Sequence, residues 1–304
     1  MRDHQLAVMA RKDFDDAIRS KAIWIISGLF ALLMILLAYM VSRGAPAELS
    51  GTQRRLIPLI LLSGLTQWIT WVVTLLALVG GYASIIDERR TGSIKLLLGQ
   101  PFQRVEVLVG KIIGRVSVIA AATLVGFLAI ALSITVLIGP PVIVDFTWRF
   151  LGLFLLTVLL GGIFTVLAVS VSAIVSTRRR AMMSVIAIFF VLQAAWTGVT
   201  QLFYLFFSGG SALPARPPTW YIFLTYLSPS AAYTRLSSVV FPSPPIRPPQ
   251  YHGLGLDGVP QRAIQAQQSG SFLLSEYMAL LILLIWAVAV GLVGYRAFQN
   301  ADLG

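Results

Sequence analysis

The chain contains no cysteine and only two histidines among its 304 residues. Without cysteine the protein has no disulfide bond, no thiolate metal site and no cysteine nucleophile. His4 and His252 lie far apart and outside every long apolar run, which argues against a metal or catalytic site built from histidine. Charged residues are also scarce, at 12% of the chain, where soluble domains carry about 25%. This deficit indicates a protein that lies in a lipid bilayer.

The sequence also lacks the motifs of an energy source or an enzyme. No G-x-x-x-x-G-K-[ST] string occurs, so the chain has no phosphate-binding loop for ATP. The apolar runs hold no carboxylate or histidine near their centres, which argues against a proton-coupled carrier, whereas sodium coupling through backbone carbonyls stays open. Arg115 and Arg296 lie close to the inner membrane interface and Glu276 close to the outer one, where long side chains can reach the headgroups.

Six apolar segments are long enough to cross about 30 Å of hydrocarbon, and only helices satisfy their backbone polar groups internally at this hydrophobicity. They are residues 22–41, 56–86, 112–138, 150–175, 181–207 and 272–295. Residues 176–180 leave room only for a tight hairpin between the fourth and fifth spans. We therefore expect one all-α integral membrane domain over residues 1–304, with six transmembrane helices.

The distribution of Lys and Arg predicts the orientation. With the N-terminus inside, fifteen of them fall on the inner side and four on the short outer loops. This asymmetry predicts that both termini are cytoplasmic. The net charge of +11 does not indicate nucleic-acid binding, because the basic residues flank apolar segments.

Residues 1–21, ahead of the first span, show an amphipathic pattern. Leu6, Ala10, Phe14 and Ile18 share one helical face, and most of the charged residues lie away from it. The pattern predicts a helix in the inner membrane interface. The alternative is a solvated lead-in with incidental spacing.

The outer loop, residues 208–271, holds ten of the fifteen prolines. Proline removes a backbone donor, so this loop cannot be one long helix. Residues 219–227 are rich in aromatic side chains that suit the outer membrane interface. Ser228 and Pro229 are typical of the N-cap and first position of a short helix, which we expect to run to Val240. Residues 242–268 are expected to be irregular.

Two spans carry stripes of polar residues. The stripe on the second span is Gln67, Thr70 and Thr74, and the stripe on the fifth is Gln193, Thr197, Thr200 and Gln201. Such faces avoid lipid and meet other helices or water. They predict either hydrogen bonds between helices or a substrate path or dimer seam, and glycine pairs such as Gly80-Gly81 and Gly161-Gly162 predict close helix contacts.

Residues 87–111 form the one strongly charged, patterned segment between two spans. Ser93 can cap a short helix in which Ile94, Leu97 and Leu98 share a face, and Pro101 blocks its continuation. A second helix start follows Gln103. A short helix of this kind either docks in the groove of a partner protein or lies in the headgroups.

The amino-acid sequence of this segment resembles that of one protein family. The string ERRTGSIKLLL at 88–98, then Gln100-Pro101 and RVEVLVGK at 104–111, resembles the first cytoplasmic loop of type-2 ABC exporter permeases (ABC-2 type). The family pattern is roughly E-R-x-x-G-[ST]-[IL]-x-x-L-L-x-x-P-[ST]-R-x-E-[IV]-L-x-G-K. The layout also resembles that of the family, with an interfacial helix, six spans and a larger outer segment before the sixth span. The string Leu227-Ser228-Pro229 with Tyr233 resembles the start of the outer re-entrant or interfacial helices of the family.

The resemblance implies a permease in a prokaryotic cell membrane. It would form a dimer, with a second copy or a homologue, on two P-loop ATPase subunits that hold ATP and Mg²⁺, while this chain binds no cofactor and is not an enzyme. The residues implied in ATPase docking, through a cytoplasmic coupling helix, are Glu88, Arg90, Gly92, Ser93, Ile94, Leu97, Leu98 and Pro101. The candidates for the translocation path or dimer seam are Gln67, Thr70, Thr74, Gln193, Thr197 and Gln201.

Two other functions remain open on the sequence alone. One is a non-transporting membrane assembly or regulatory subunit, and the other is an ion-coupled secondary carrier. Membrane lipid is a partner in every case, and the long outer loop could bind an extracytoplasmic accessory protein. No residue selects the cargo.

Overall fold

A computed structural model of the chain describes residues 10–16, 18–44, 57–91, 104–137, 139, 146–211, 214, 217–241 and 271–299. Within these residues the secondary structure is helical, with no strand. The helices are α1 (Lys21–Gly44), α2 (Ile57–Gly81), α3 (Ile86–Thr91), α4 (Arg104–Leu137), α5 (Phe146–Ile174), α6 (Arg178–Phe190), α7 (Trp196–Phe207), α8 (Thr219–Tyr226), α9 (Pro229–Val240) and α10 (Glu276–Gln299). Residues 10–16 are also helical.

The predicted all-α fold with six spans is confirmed. Six helical stretches are long and apolar enough to cross a membrane. The spans are α1, α2, α4, α5, the pair α6 and α7, and α10. A π-helical turn, Val191–Ala195, joins α6 to α7, so the fifth span is continuous from Arg178 to Phe207. The third span begins earlier than predicted, because α4 already starts at Arg104 and absorbs the second helix start.

The core lies around α5. This helix packs against α2, α4 and α10, while α1 packs against α4 and α2. Fully buried apolar side chains such as Phe30, Leu76, Leu153 and Phe164 fill the space between them. Large apolar side chains stay exposed on the outside of the bundle, on α1, α4, the fifth span and α10 among others. Such a surface suits a bundle surrounded by hydrocarbon rather than water.

The described part of the outer loop folds back onto the bundle. Ser228 caps α9 as predicted, because its hydroxyl accepts a hydrogen bond from the Ala231 N–H at 3.1 Å. Helix α9 packs on α10, α5 and α2, and Tyr233 is fully buried with its hydroxyl 2.8 Å from the Thr157 hydroxyl. The aromatic residues of α8 differ in burial, because Tyr221 is buried and Trp220 is exposed. Residues 242–268, expected to be irregular, lie outside the described residues.

The fourth and fifth spans are joined as tightly as the sequence predicts. Helix α5 ends at Ile174 and α6 begins at Arg178. Thr177 is the N-cap of α6, and its hydroxyl accepts a hydrogen bond from the Arg180 N–H at 3.3 Å. The chain therefore reverses direction within three residues.

Glycines let the helices approach closely, as the glycine pairs predict. A Cβ on Gly81 would lie 2.7 Å from the Ala168 Cβ, and one on Gly161 would lie 2.9 Å from the Ile119 Cγ2. These distances are shorter than real carbon contacts, so both positions need glycine. The second span is thereby held against α5, and α5 against α4.

We expect Gly81→Ala to destabilise the protein by about 1–3 kcal/mol, because the added methyl meets a rigid Cβ on α5. The matched control is Gly64→Ala in the same helix, where an added Cβ has open space. It should be neutral or stabilising by about 0.5–1 kcal/mol, since alanine favours the helix. Thermal unfolding followed by tryptophan fluorescence in detergent compares them. Equal midpoints for the two variants would contradict the close contact.

The second apolar segment is not one continuous helix. The sequence predicts a continuous helix over 56–86, but α2 ends at Gly81 and residues 82–85 form a turn before α3. The reason lies in side chains from other helices. The Ser172 hydroxyl of α5 accepts hydrogen bonds from the N–H groups of Ile85 and Ile86 at 3.1 and 3.2 Å. These two N–H groups therefore have a hydrogen-bond partner although no continuous helix precedes them.

Candidate functional site

The predicted docking segment is described only at its two edges. Glu88 and Arg90 lie in α3, and the described residues resume at Arg104, where α4 begins. The remaining predicted docking residues lie outside the described residues: Gly92, Ser93, Ile94, Leu97, Leu98 and Pro101. We call the end of the bundle that carries α3 and the start of α4 the loop end.

Glu88 makes an ion pair within the protein. Its carboxylate lies 2.7 Å from the Lys111 Nζ, in the third turn of α4. The same ammonium donates to the Asp13 carboxylate and to the Ser84 carbonyl, both at 3.3 Å. Arg90, by contrast, is exposed. The two predicted docking residues of α3 therefore have different surroundings, one turned into the bundle and one turned outward.

Arg115 completes a four-residue group. Its Nε lies 2.8 Å from one oxygen of Asp13, and its Nη1 donates to the Gly80 carbonyl at 2.8 Å. We call Asp13, Glu88, Lys111 and Arg115 the charge cluster. Its side chains are 7%, 19%, 6% and 18% exposed, respectively. The guanidinium of Arg115 is thus held at the loop end by Asp13 and by the Gly80 carbonyl.

Local structure explains how these groups meet. Lys111 and Arg115 are four residues apart, so they lie on one face of α4. Between them Gly114 has no side chain, and a Cβ there would lie 2.7 Å from the Ala10 carbonyl and 2.9 Å from the Asp13 Cβ. The glycine lets the segment 10–16 lie directly on α4. The two cations also donate hydrogen bonds to carbonyl groups at the C-terminal end of α2 and in the turn after it, where the helix dipole favours positive charge.

The contacts of Asp13, Lys111 and Ser172 are not predicted by the sequence. A signal for Asp13 is present, because it shares a helical face with Ala10 and Phe14 at the spacing i, i+3 and i+4. Of these residues Asp13 is buried, and Ala10 and Phe14 are partly buried. A lone acid on the apolar face of a lead-in helix predicts a buried cation as its partner.

The other side of the loop end is held by α5 and by an apolar layer. Arg89 donates from Nη2 to the Ala173 carbonyl at 3.0 Å. Ile85, Val107 and Phe298 are buried together in one cluster, which brings the end of α10 to the same place. We call residues 10–16 the N-terminal segment. This segment, the end of the sixth span and the two described edges of the predicted docking segment thus lie at one end of the bundle.

The two polar stripes meet each other. The Gln193 side-chain amide donates to the Thr74 hydroxyl at 2.7 Å and to the Thr70 carbonyl at 3.3 Å. Both threonines are fully buried, and Gln193 lies in the π-helical turn of the fifth span. The second and fifth spans are therefore joined by the interhelical hydrogen bonds that the sequence allowed. A π-helical turn widens the helix locally and often marks a functional position.

The rest of the two stripes is not drawn into this contact. Gln67 and Thr197 are half-buried, and Gln201 is exposed. Thr200, in the same stretch, is buried and donates to the Thr197 carbonyl at 2.9 Å. An exposed amide on a span is costly against lipid, so this face of the fifth span calls for a polar neighbour.

The chain is similar to proteins of one family. A family model described as "ABC-2 family transporter protein" matches residues 7–303. The "Probable ABC transporter permease protein NosY" of Stutzerimonas stutzeri is 30% identical over 230 residues, which cover 76% of this chain and 80% of that protein. The protein of the same description from Pseudomonas aeruginosa is 33% identical over 176 residues, covering 57% of this chain and 61% of that protein.

Proposed function

The chain belongs to the ABC-2 family of transporter proteins, and on that premise we propose that it is the permease subunit of an ATP-driven exporter. A separate ATPase subunit would dock on residues 87–111 and move the spans. The loop end supports this proposal, because both edges of the docking segment are fixed to the bundle by side-chain contacts. At one edge Arg89 is bonded to α5, and at the other Lys111 is bonded to Glu88.

The proposed docking surface combines the exposed edge of α3 with the patterned segment after it. Arg90 is exposed and free to face an acidic partner, and Ile94, Leu97 and Leu98 share a face by their spacing. Gly92, Ser93 and Pro101 would shape the docking helix. Glu88 has a different task in this proposal, since its ion pair with Lys111 pins the segment to α4.

We propose that a second copy, or a homologue, lies against the fifth span. The exposed Gln201 and the half-buried Thr197 lie on the fifth span, which otherwise presents apolar side chains, and the half-buried Gln67 lies on the second span. A polar surface there is stable against another protein or a water-filled path, but not against lipid. Thr70, Thr74 and Gln193 would form the inner wall of that path or seam.

The proposal also places the chain in the cell membrane of a prokaryote with the loop end in the cytoplasm, as the excess of Lys and Arg on that side favours. ATP and Mg²⁺ would bind to the partner subunit. The outer loop, with its prolines, is the proposed contact for an extracytoplasmic accessory protein.

An affinity pull-down of the tagged chain from its native membranes, after gentle solubilisation, tests the function. We expect a near-stoichiometric soluble protein with a phosphate-binding loop, identified by mass spectrometry. The same preparation after crosslinking controls for loss in detergent. Transport without ATP, with no such ATPase in either preparation, would favour the secondary carrier. A stable complex with another membrane enzyme and no ATPase would favour the assembly subunit.

A further inference from the structure

We propose that the charge cluster is a positioning device that makes the N-terminal segment and the second and third spans move as one body when the docking segment is displaced. This proposal rests on the proposed function, because it assigns the cluster a part in coupling to the ATPase. None of the four residues would contact cargo or nucleotide. Asp13, Glu88, Lys111 and Arg115 would act through the backbone segments that they join.

The connectivity of the cluster carries the proposal. Asp13 comes from residues 10–16, Glu88 from α3 after the turn that follows the second span, and both cations from the start of the third span. The Asp13 carboxylate is shared by Lys111 and Arg115, at 3.3 and 2.8 Å. Lys111 then continues to Glu88 at 2.7 Å. Every segment is joined to the third span by at least one ion pair.

The cations also hold the turn at which the second span ends. Lys111 donates to the Ser84 carbonyl and Arg115 to the Gly80 carbonyl. Without these donors the turn at 82–85 could act as a hinge, because its backbone is no longer in a continuous helix. A hinge at this point would bend when the docking segment is displaced, and the spans would not move with it. When the two cations hold the turn rigid, the displacement is transmitted to α2 and α4.

The charges of the cluster favour positioning over simple stability. Two carboxylates balance two cations, and the group is largely removed from water. A buried ion pair gains little over well-packed apolar residues of the same size, because desolvation offsets the attraction. What it supplies is a fixed geometry, since each partner accepts few arrangements. An apolar contact could slide, whereas this network has one set of partners.

Other ion pairs in the described part of the chain are looser. Arg235 and Glu276, at the opposite end of the bundle, are 3.7 Å apart, and the glutamate is 44% exposed. Arg178 and Asp87, at the loop end, are 3.8 Å apart and exposed at 53% and 44%. Pairs of this kind contribute little in water. The tight, buried arrangement therefore coincides with the place where motion of the docking segment would enter the spans.

Spin labels can test the proposal, because the chain has no cysteine of its own. One pair of labels, at Lys12→Cys and Ser117→Cys, lies on exposed positions of the N-terminal segment and of α4. A second pair, at Leu132→Cys and Leu202→Cys, lies on exposed positions of the third and fifth spans toward the opposite end. Dipolar EPR on the complex with its ATPase measures both distances with and without ATP.

In the unmodified cluster we expect the first pair to keep one narrow distance with and without ATP, and the second pair to change with ATP. Asp13→Asn should broaden the first distance and remove most of the ATP-driven change in the second. Arg115→Lys retains the positive charge, so this variant should still fold. The single ammonium group cannot bind the Asp13 carboxylate and the Gly80 carbonyl with the geometry of the planar guanidinium. It should lose a smaller part of the same response.

Arg179→Gln is the matched control, since it removes an exposed cation at the same end of the bundle. It should leave both distances as in the parent. If Asp13→Asn and Arg115→Lys also leave both distances and the ATP response unchanged, the proposal is overturned. A parent protein that binds no ATPase, or shows no ATP response, would overturn the proposed function itself, and the coupling role with it. A broadened first distance with a normal ATP response would leave the cluster as a structural contact only.

Discussion

Replacing Leu97 with aspartate is expected to release the ATPase subunit while the six spans stay inserted. By its spacing Leu97 shares a face with Ile94 and Leu98, and that face is the proposed docking surface. Losing one buried leucine removes about 1.5–3 kcal/mol of apolar burial. At 1.4 kcal/mol for each factor of ten, this weakens binding by roughly 10- to 100-fold before the cost of burying a carboxylate is added. Leu97→Asp combined with Leu98→Asp should abolish the complex.

The control for this experiment is the neighbouring leucine. Leu96→Asp makes the same chemical change in the same segment, but Leu96 lies off the face of Ile94, Leu97 and Leu98. It should retain the ATPase in a pull-down and insert normally, as judged by carbonate extraction of the membranes. If Leu97→Asp and Leu96→Asp retain the ATPase equally, the docking surface is elsewhere. The segment then lies in the headgroups, as the sequence also allowed.

The six spans could be predicted because hydropathy and length depend on local composition alone. The same holds for the cap at Ser228, where a hydroxyl and a following proline are local signals. The end of the second span could not be predicted in this way. It is determined by Ser172 and by cations of α4, which lie far along the chain from the turn at 82–85. Partners brought together only by the tertiary fold leave no trace in a window of the sequence.

The candidate site shows the same division. The polar stripes could be found from their helical spacing, but the sequence did not say that Gln193 would pair with Thr74. Asp13 is hard to recognise in the sequence, because four further charged residues lie within three positions of it and obscure its own place on the apolar face. Lys111 ends the family pattern, and its place in the charge cluster follows only from its contacts with Asp13 and Glu88.

Lys111→Met is expected to be the most destabilising single substitution in the charge cluster. The methionine retains most of the volume, but it removes the cation between Asp13 and Glu88. Breaking a buried ion pair from one side costs about 3–5 kcal/mol, because a carboxylate is left in surroundings that stabilise it poorly. The midpoint of thermal unfolding in detergent, read from tryptophan fluorescence at one scan rate, should fall well below that of the parent.

The double substitution Lys111→Met with Glu88→Gln separates this cause from a loss of packing. It restores the charge balance, since Asp13 keeps Arg115 as its partner. If the excess carboxylate destabilises the single variant, the double variant should unfold at a higher temperature than Lys111→Met, with a coupling energy of about 0.5–3 kcal/mol. If the two substitutions simply add, Glu88 and Lys111 do not interact energetically. The cluster would then consist of Asp13 and the two cations of α4, and these cations would hold the end of the second span through the Gly80 and Ser84 carbonyls.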